Sequence, residues 1–159
     1  MPRERKKHVE KLHFESVTLL SVQEVKDLLS DEDRAYHEWW WTRTVGTDDR
    51  CVADISVYGN IYTKGNRPDL DHSIVVRPAL IISGLKESGF KIGDTFKFEG
   101  KIFKIISENL AFCTEDIGHH QFNDDFKAED ANIYDNSEVK KFVGQWFDEA
   151  MRKRKGKQS

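Results

Sequence analysis

The chain has 159 residues (18.5 kDa), 38% hydrophobic and 33% charged, with a mean hydropathy of −0.67, which fits one domain with short tails. Ten Phe, four Trp and four Tyr supply bulky apolar surface for a packed core, so the low hydropathy marks a charged exterior rather than disorder. The net charge of −3 hides an uneven distribution: ten basic and two acidic residues lie in 1–11 and 152–159, leaving 15 basic against 26 acidic residues and −11 for the body, which disfavours a nucleic-acid-binding body.

Residues 1–15 read as a basic N-terminal extension with no apolar stretch behind it, so no targeting peptide is expected. The segment 16–20 reads as a short strand. It runs into Ser21, and Glu24 three residues later completes a capping-box pattern for a helix over 22–29 with Val22, Val25, Leu28 and Leu29 on one face. A polar stretch, 30–38, ends that helix. Trp39, Trp40 and Trp41 follow, and then short runs separated by turns: 51–57, a Gly59-Asn60 turn, 61–63 and 74–82. In the first run Cys51, Ala53, Ile55 and Val57 alternate with Asp54 and Ser56, the period of a strand with one wet face.

A connector over 84–93 leads to 95–98, 101–107 and 110–113, a three-stranded meander with turns at Glu99-Gly100 and Glu108-Asn109. The acidic stretch 114–135 lacks periodicity, and a loop of about 20 residues in a small domain is usually functional or mobile. Val139, Phe142, Val143, Trp146, Phe147 and Ala150 then mark a helix capped by Asn136 or Ser137. The expected fold class is α+β, a mostly antiparallel sheet with two main helices. The basic tail 152–159 solubilises the chain and complements the helix C-terminus.

WWTRTVG at 40–46, ADISVYGNI at 53–61 and VVRPAL at 75–80 resemble a bacterial and prophage family of unknown function, whose signature runs WWLRSPG, a strand ending at a DG turn, and GVRPAL. LSVQEV at 20–25 is similar to that family's LLSxEE helix start. IGDTFKF at 92–98, GKIFKII at 100–106 and LAF at 110–112 resemble its opening meander, and SEVKKFV at 137–143 through Phe147 resembles the SxLRxWLNxxF helix that follows. In the family the meander and helix come first. The resemblance therefore implies a circularly permuted C-type lectin-like fold, similar to relatives of the formylglycine-generating enzyme, in one domain spanning 16–151. Residues 16–82 match the family's C-terminal half and 92–150 its N-terminal half. Close termini make permutation cheap; two half-domains completed by swapping with a second copy are the alternative. Thr44 and Val45 stand where the family has serine and proline, Gly144 where it has the helix Asn, and Phe103 where it has the meander Trp, so fold transfers better than any site.

Trp40, Trp41 and Arg43 admit two readings: a surface that stacks on a ligand, or rings split between two cores with Arg43 in an ion pair. Arg77 in an apolar strand is expected to pair with an acid such as Asp54, and Pro78 to mark an edge strand or bulge; both are treated as structural signature. His119 and His120, near Asp116, Asp124 and Asp125, raise a metal site, but adjacent residues do not easily face one ion, and no metal or cofactor is expected. The pairing of NRPD at 66–69 and Asp71 with FND at 122–124 faintly resembles C-type lectin calcium motifs. No GxSxG, phosphate loop or HExxH is present, so no enzymatic activity is expected. The resembled formylglycine-generating enzymes use paired cysteines, which leaves a vestigial enzyme of that type as one alternative if Cys51 and Cys113 meet. Two cysteines are too few for a disulfide scaffold, and no apolar run nears the ~20 residues of a membrane span. The expectation is a cytoplasmic recognition module that binds a protein partner through loops 64–73 and 114–135. Asp69, Asp71, His119, His120, Asp124 and Asp125 are the contacts, with Glu129 and Asp130 adding to an acidic rim for a basic patch. Nucleic acid held by the basic tails is the other alternative, and no membrane is involved.

Overall fold

The two periodicities in the chain build two sheets and one long helix. The structure, a computed structural model, describes residues 6–70 and 74–158. Strand β1 (His13–Thr18) lies at one edge of a five-stranded antiparallel sheet. Next to it run β6 (Ala79–Ser83), β9 (Leu110–Cys113), β8 (Lys101–Ser107) and β7 (Thr95–Phe98). The second sheet has four strands in the order β4 (Ile61–Asn66), β3 (Val52–Ile55), β2 (Trp39–Val45) and β5 (Ile74–Val75). Among the described residues only the β2–β5 pair is parallel, with Trp39 opposite Ile74 and Trp40 opposite Val75. The molecule is an α+β protein.

Four helices are described rather than two. Helices α1 (Val22–Leu28) and α4 (Glu138–Gln158) are the expected ones. Helices α2 (Asp31–Arg34) and α3 (Leu85–Ser88) are single turns, too short to leave a 3.6-residue apolar pattern. The first lies in the stretch expected to be irregular, and Ser30 caps it as Ser21 caps α1. The second lies in the expected connector, between Gly84 and Gly89.

Alternation in the five-stranded sheet sorts side chains onto two faces. Leu80, Ile82, Phe103, Ile105, Ala111 and Cys113 face a cluster with Phe14, Phe96, Phe98 and, from α4, Phe147 and Ala150. The opposite face, with Ala79, Ile106, Leu110 and Phe112, packs on Leu20, Val25, Leu29 and Trp40. A third cluster joins Trp41, Leu19, Val52 and Phe122 to Val139 and Val143 of α4. Helix α4 therefore fastens both sheets. Ser137 caps it, its Oγ accepting from the Lys140 N–H at 3.1 Å. At the meander turn Glu99 and Gly100 both have positive φ, 50° and 75°, the geometry of a two-residue hairpin loop.

Three expectations are corrected by burial. Strand β3 has no wet face, because Val52, Ala53, Asp54 and Ile55 are all buried between β2 and β4. Strand β1 begins at His13, and Leu12 and Phe14 already belong to the core, so only part of 1–15 is an extension. The run 74–82 is two strands, one in each sheet, and Pro78 stands at the crossing between them, where a missing N–H removes no ladder bond.

The capping box is complete: Ser21 Oγ accepts from the Glu24 N–H (3.1 Å) and Glu24 accepts from the Ser21 N–H (2.8 Å). Glu24 also pairs with Arg43 of β2. Ser21→Ala is expected to destabilise the fold by about 1 kcal/mol, read as a lower urea midpoint at unchanged m-value.

Candidate functional site

Strand alternation decides the fate of the three tryptophans. Trp40 and Trp41 are both fully buried and present no stacking face to solvent. The Trp40 indole N–H donates to Arg34 O at 3.0 Å and the ring packs on Phe112, whereas the Trp41 N–H donates to His120 O at 2.9 Å and its ring packs on Phe122. The two rings sit in separate cores. Arg43 pairs with Glu24 and donates to Leu19 O at 2.7 Å, holding α1 to β2. These three residues are structural, and the ligand-stacking alternative is corrected.

Arg77 is buried, and among the described residues it has no carboxylate partner. Its guanidinium lies over the rings of Phe112, Tyr36 and Trp40, at 4.4, 4.6 and 4.8 Å from their centroids, and donates to Cys113 O (3.3 Å) and Asp33 O (3.1 Å). The π faces offset its desolvation; burial lowers its pKa to about 10, so it stays charged at neutral pH. Asp54, the expected partner, is also fully buried. Its Oδ2 accepts from Asn66 Nδ2 (2.5 Å), and among the described residues its Oδ1 has no partner. Burial pushes its carboxyl up to about 7.

The loops expected to bind are close to one another. Asn123 N–H donates to Pro68 O (2.9 Å), Gln121 Nε2 donates to Asp69 O (2.9 Å), and Arg67 lies 3.7 Å over the ring of Phe126. Residues 114–135 are not loosely attached, since Phe122 and Ala131 are buried and Asn132 Nδ2 donates to Cys51 O at 3.1 Å. That anchoring leaves the acids outside: Asp124, Asp125, Glu129 and Asp130 are exposed. Asp69 is half-buried, and its pairing with Arg67 (2.7 Å) holds its carboxyl below the usual range. Asp71 lies outside the described residues, so the surface is described over 64–70.

His119 and His120 diverge, as adjacent residues on extended backbone do. His120 stacks on Phe142 at 4.4 Å and its Nδ1 bonds Gln121 O, whereas His119 bonds Glu38 and bridges to Val75. Tyr36, His37 and Glu38 thus face Asp116 and His119. Residues 36–38 form a cluster that sequence reasoning missed, because 30–38 carries no periodicity; its one signal was two ionisable residues next to the Trp run.

Both cysteines are free. Burial pushes the Cys113 thiol up to about 12 and raises that of Cys51, the opposite of the shift a reactive thiolate needs. In the C-terminal stretch Lys153 pairs with Glu99 (2.9 Å) and Arg154 lies over the rings of Phe14 (4.7 Å) and Phe98 (5.5 Å), so these two cations are engaged by the body. Residues 1–5 of the other basic end lie outside the described residues. Among the described residues no helix is long and apolar enough to cross a membrane.

The chain matches no family model, no curated protein and no solved structure.

Proposed function

We propose that the protein is a non-enzymatic recognition module, working in the cytoplasm, whose loops 64–70 and 114–135 form one acidic surface for a basic segment of a protein partner. The observation that carries this reading is the direct contact between the loops through Asn123, Gln121 and Arg67, which turns two distant stretches of sequence into one surface. Such loops on a rigid scaffold are the usual place for binding. Exposed carboxylates around a buried anchor, Phe122, favour a basic partner and speed its encounter.

The same proposal takes the fold to be C-type lectin-like with its halves in exchanged order, as the resemblance to the prophage family implies. Support comes from the five-stranded sheet, which draws β1 and β6 from one half and β7, β8 and β9 from the other. Both halves complete one core within a single chain, so swapping with a second copy is not required. The engagement of Lys153 and Arg154 by the body weighs against tail-mediated nucleic-acid binding. The raised thiols weigh against a vestigial enzyme.

Selection from a random peptide display tests the binding surface. Lys- and Arg-rich peptides are expected to be enriched on the native chain, with affinity falling as salt rises. They are expected to be lost on the Asp124→Asn, Asp125→Asn, Glu129→Gln, Asp130→Asn variant. No enrichment, or equal enrichment on that variant, overturns the reading.

A further inference from the structure

A second constellation takes Asp116 and His119 from the start of the 114–135 loop and rests on none of the contacts argued for the acidic surface. One ligand atom from each of His37, Glu38 and Asp116 falls within 4.8 Å of the others. His119 joins them, with its Nε2 2.5 Å from Glu38 Oε1, while His37 Nε2 stands 4.0 Å from the other oxygen, Glu38 Oε2. Two imidazoles and two carboxylates thus converge from segments about 80 residues apart in sequence, with Glu38 in the middle.

We propose that His37, Glu38, Asp116 and His119 form a binding site for one divalent transition-metal ion of the zinc class. The donor set decides the class. Calcium and magnesium take oxygen ligands, whereas mixed imidazole and carboxylate donors suit zinc, cobalt(II) and iron(II). Ligand atoms about 2.0–2.2 Å from a tetrahedral ion stand roughly 3.3–3.6 Å apart. The ligand atoms of His37, Glu38 and Asp116 already lie within 4.8 Å of one another, and His119 stands at hydrogen-bond distance from Glu38, so His119 is the ligand that must swing from Glu38 toward the other two for an ion to be enclosed.

The backbone under the ligands is held on both sides. Glu38 immediately precedes β2. The Asp116 to His119 turn is laced to the crossing between β5 and β6: Ile117 N–H donates to Val76 O (3.0 Å), Val76 N–H donates to Gly118 O (2.9 Å), and His119 bridges to Val75. Asp116 is oriented on both of its oxygens, Oδ1 accepting from the Gly118 N–H (2.8 Å) and Oδ2 from the Tyr36 hydroxyl (2.5 Å). Tyr36 is held in turn by its ring against the Arg77 guanidinium. This is the outer layer of support that metal-ligating carboxylates characteristically have. On loading, the ion replaces the hydrogen bond between His119 and Glu38, and both His119 and His37 bind as neutral imidazoles.

The test uses the full chain, stripped with chelator and titrated with zinc by calorimetry and with cobalt(II) by visible absorption. One saturable equivalent and a ligand-field spectrum of low-symmetry cobalt are expected. Glu38→Gln and His119→Ala are expected to weaken zinc at least about 100-fold, and Tyr36→Phe, which removes only the support of Asp116, about 10-fold. His37→Ala keeps the fold safe, because that side chain is 72% exposed, and is expected to change the cobalt ligand-field bands and remove most of the affinity. His8→Gln with His13→Gln, distant in the fold, is expected to leave binding unchanged. No saturable equivalent, zinc affinity unchanged in both Glu38→Gln and His37→Ala, or loss confined to the His8 and His13 variant overturns the proposal.

Discussion

Arg77→Ala is expected to be the most damaging single substitution in the chain, costing about 3–4 kcal/mol and lowering the urea midpoint accordingly. Arg77 is only 3% exposed, and its guanidinium fills the space between Phe112, Tyr36 and Trp40. Truncation leaves a cavity among three rings, which alone costs energy in proportion to its volume. It also strips the donors from Cys113 O and Asp33 O, the first on β9 and the second on α2, and a buried acceptor left without a donor costs about 1–3 kcal/mol. Arg77→Lys is expected to recover less than half of the loss, because an ammonium cannot lie flat against three rings while reaching two carbonyls. Equal stability of the lysine variant and the native chain would show that charge, not the planar fork, is what the cage holds.

Raising the pH from 4 to 8 is expected to destabilise the native chain through Asp54, by an amount on the order of 4 kcal/mol at most. The sign follows from where the proton is bound. Unfolded, Asp54 titrates near its ordinary value of 3.8; folded, burial raises it to about 7. Between those values the folded state holds a proton that the unfolded state has lost, so folding is favoured at low pH. That contribution is fully present below about 4, declines as pH rises toward 7 and is constant above it. Asp54→Asn is expected to remove this slope and leave the remaining pH dependence to the surface carboxylates, which act in the opposite direction. The amide oxygen keeps the bond from Asn66, while its NH2 inherits the unpartnered position of Oδ1. Urea titrations of both chains at several pH values measure the difference, and parallel profiles would show that Asp54 is ionised in the folded protein throughout.

Elements whose partners lie close in sequence were legible. The α4 stripe, the α1 capping box and the β7–β8–β9 meander each depend on residues within a few positions of one another; the last two stand where the pattern puts them, whereas α4 starts as expected but runs on through Gln158, so that 152–158, read as a basic tail, is helical. The division of Trp40 and Trp41 between two cores follows from strand alternation alone. What sequence did not disclose was the identity of distant partners. Arg77 and Asp54 were both recognisable as costly buried charges, and pairing them was reasonable, yet one is held by rings and the other by Asn66. Aromatic faces and amides satisfy charges too, and nothing in a one-dimensional pattern ranks them. The same limit hid Tyr36, His37 and Glu38, whose significance depends wholly on Asp116 and His119 arriving from the far end of the chain. Helices α2 and α3 were missed for a different reason, since four residues complete barely one turn.

The edge position of β1 has a kinetic consequence. His13 pairs with Ser83 and Thr18 with Ala79, so β1, which is synthesised long before β6, cannot find its place until β6 has emerged. The meander is bounded by tight turns and closes over short loops, which form in microseconds. Pairing of β1 closes a loop of more than 60 residues, an entropic cost that falls late in the folding reaction. The nucleus is therefore expected in the C-terminal half, with β1 docking last, and φ-values near zero for substitutions at Phe14 alongside high values at Phe103 would be the signature of that order.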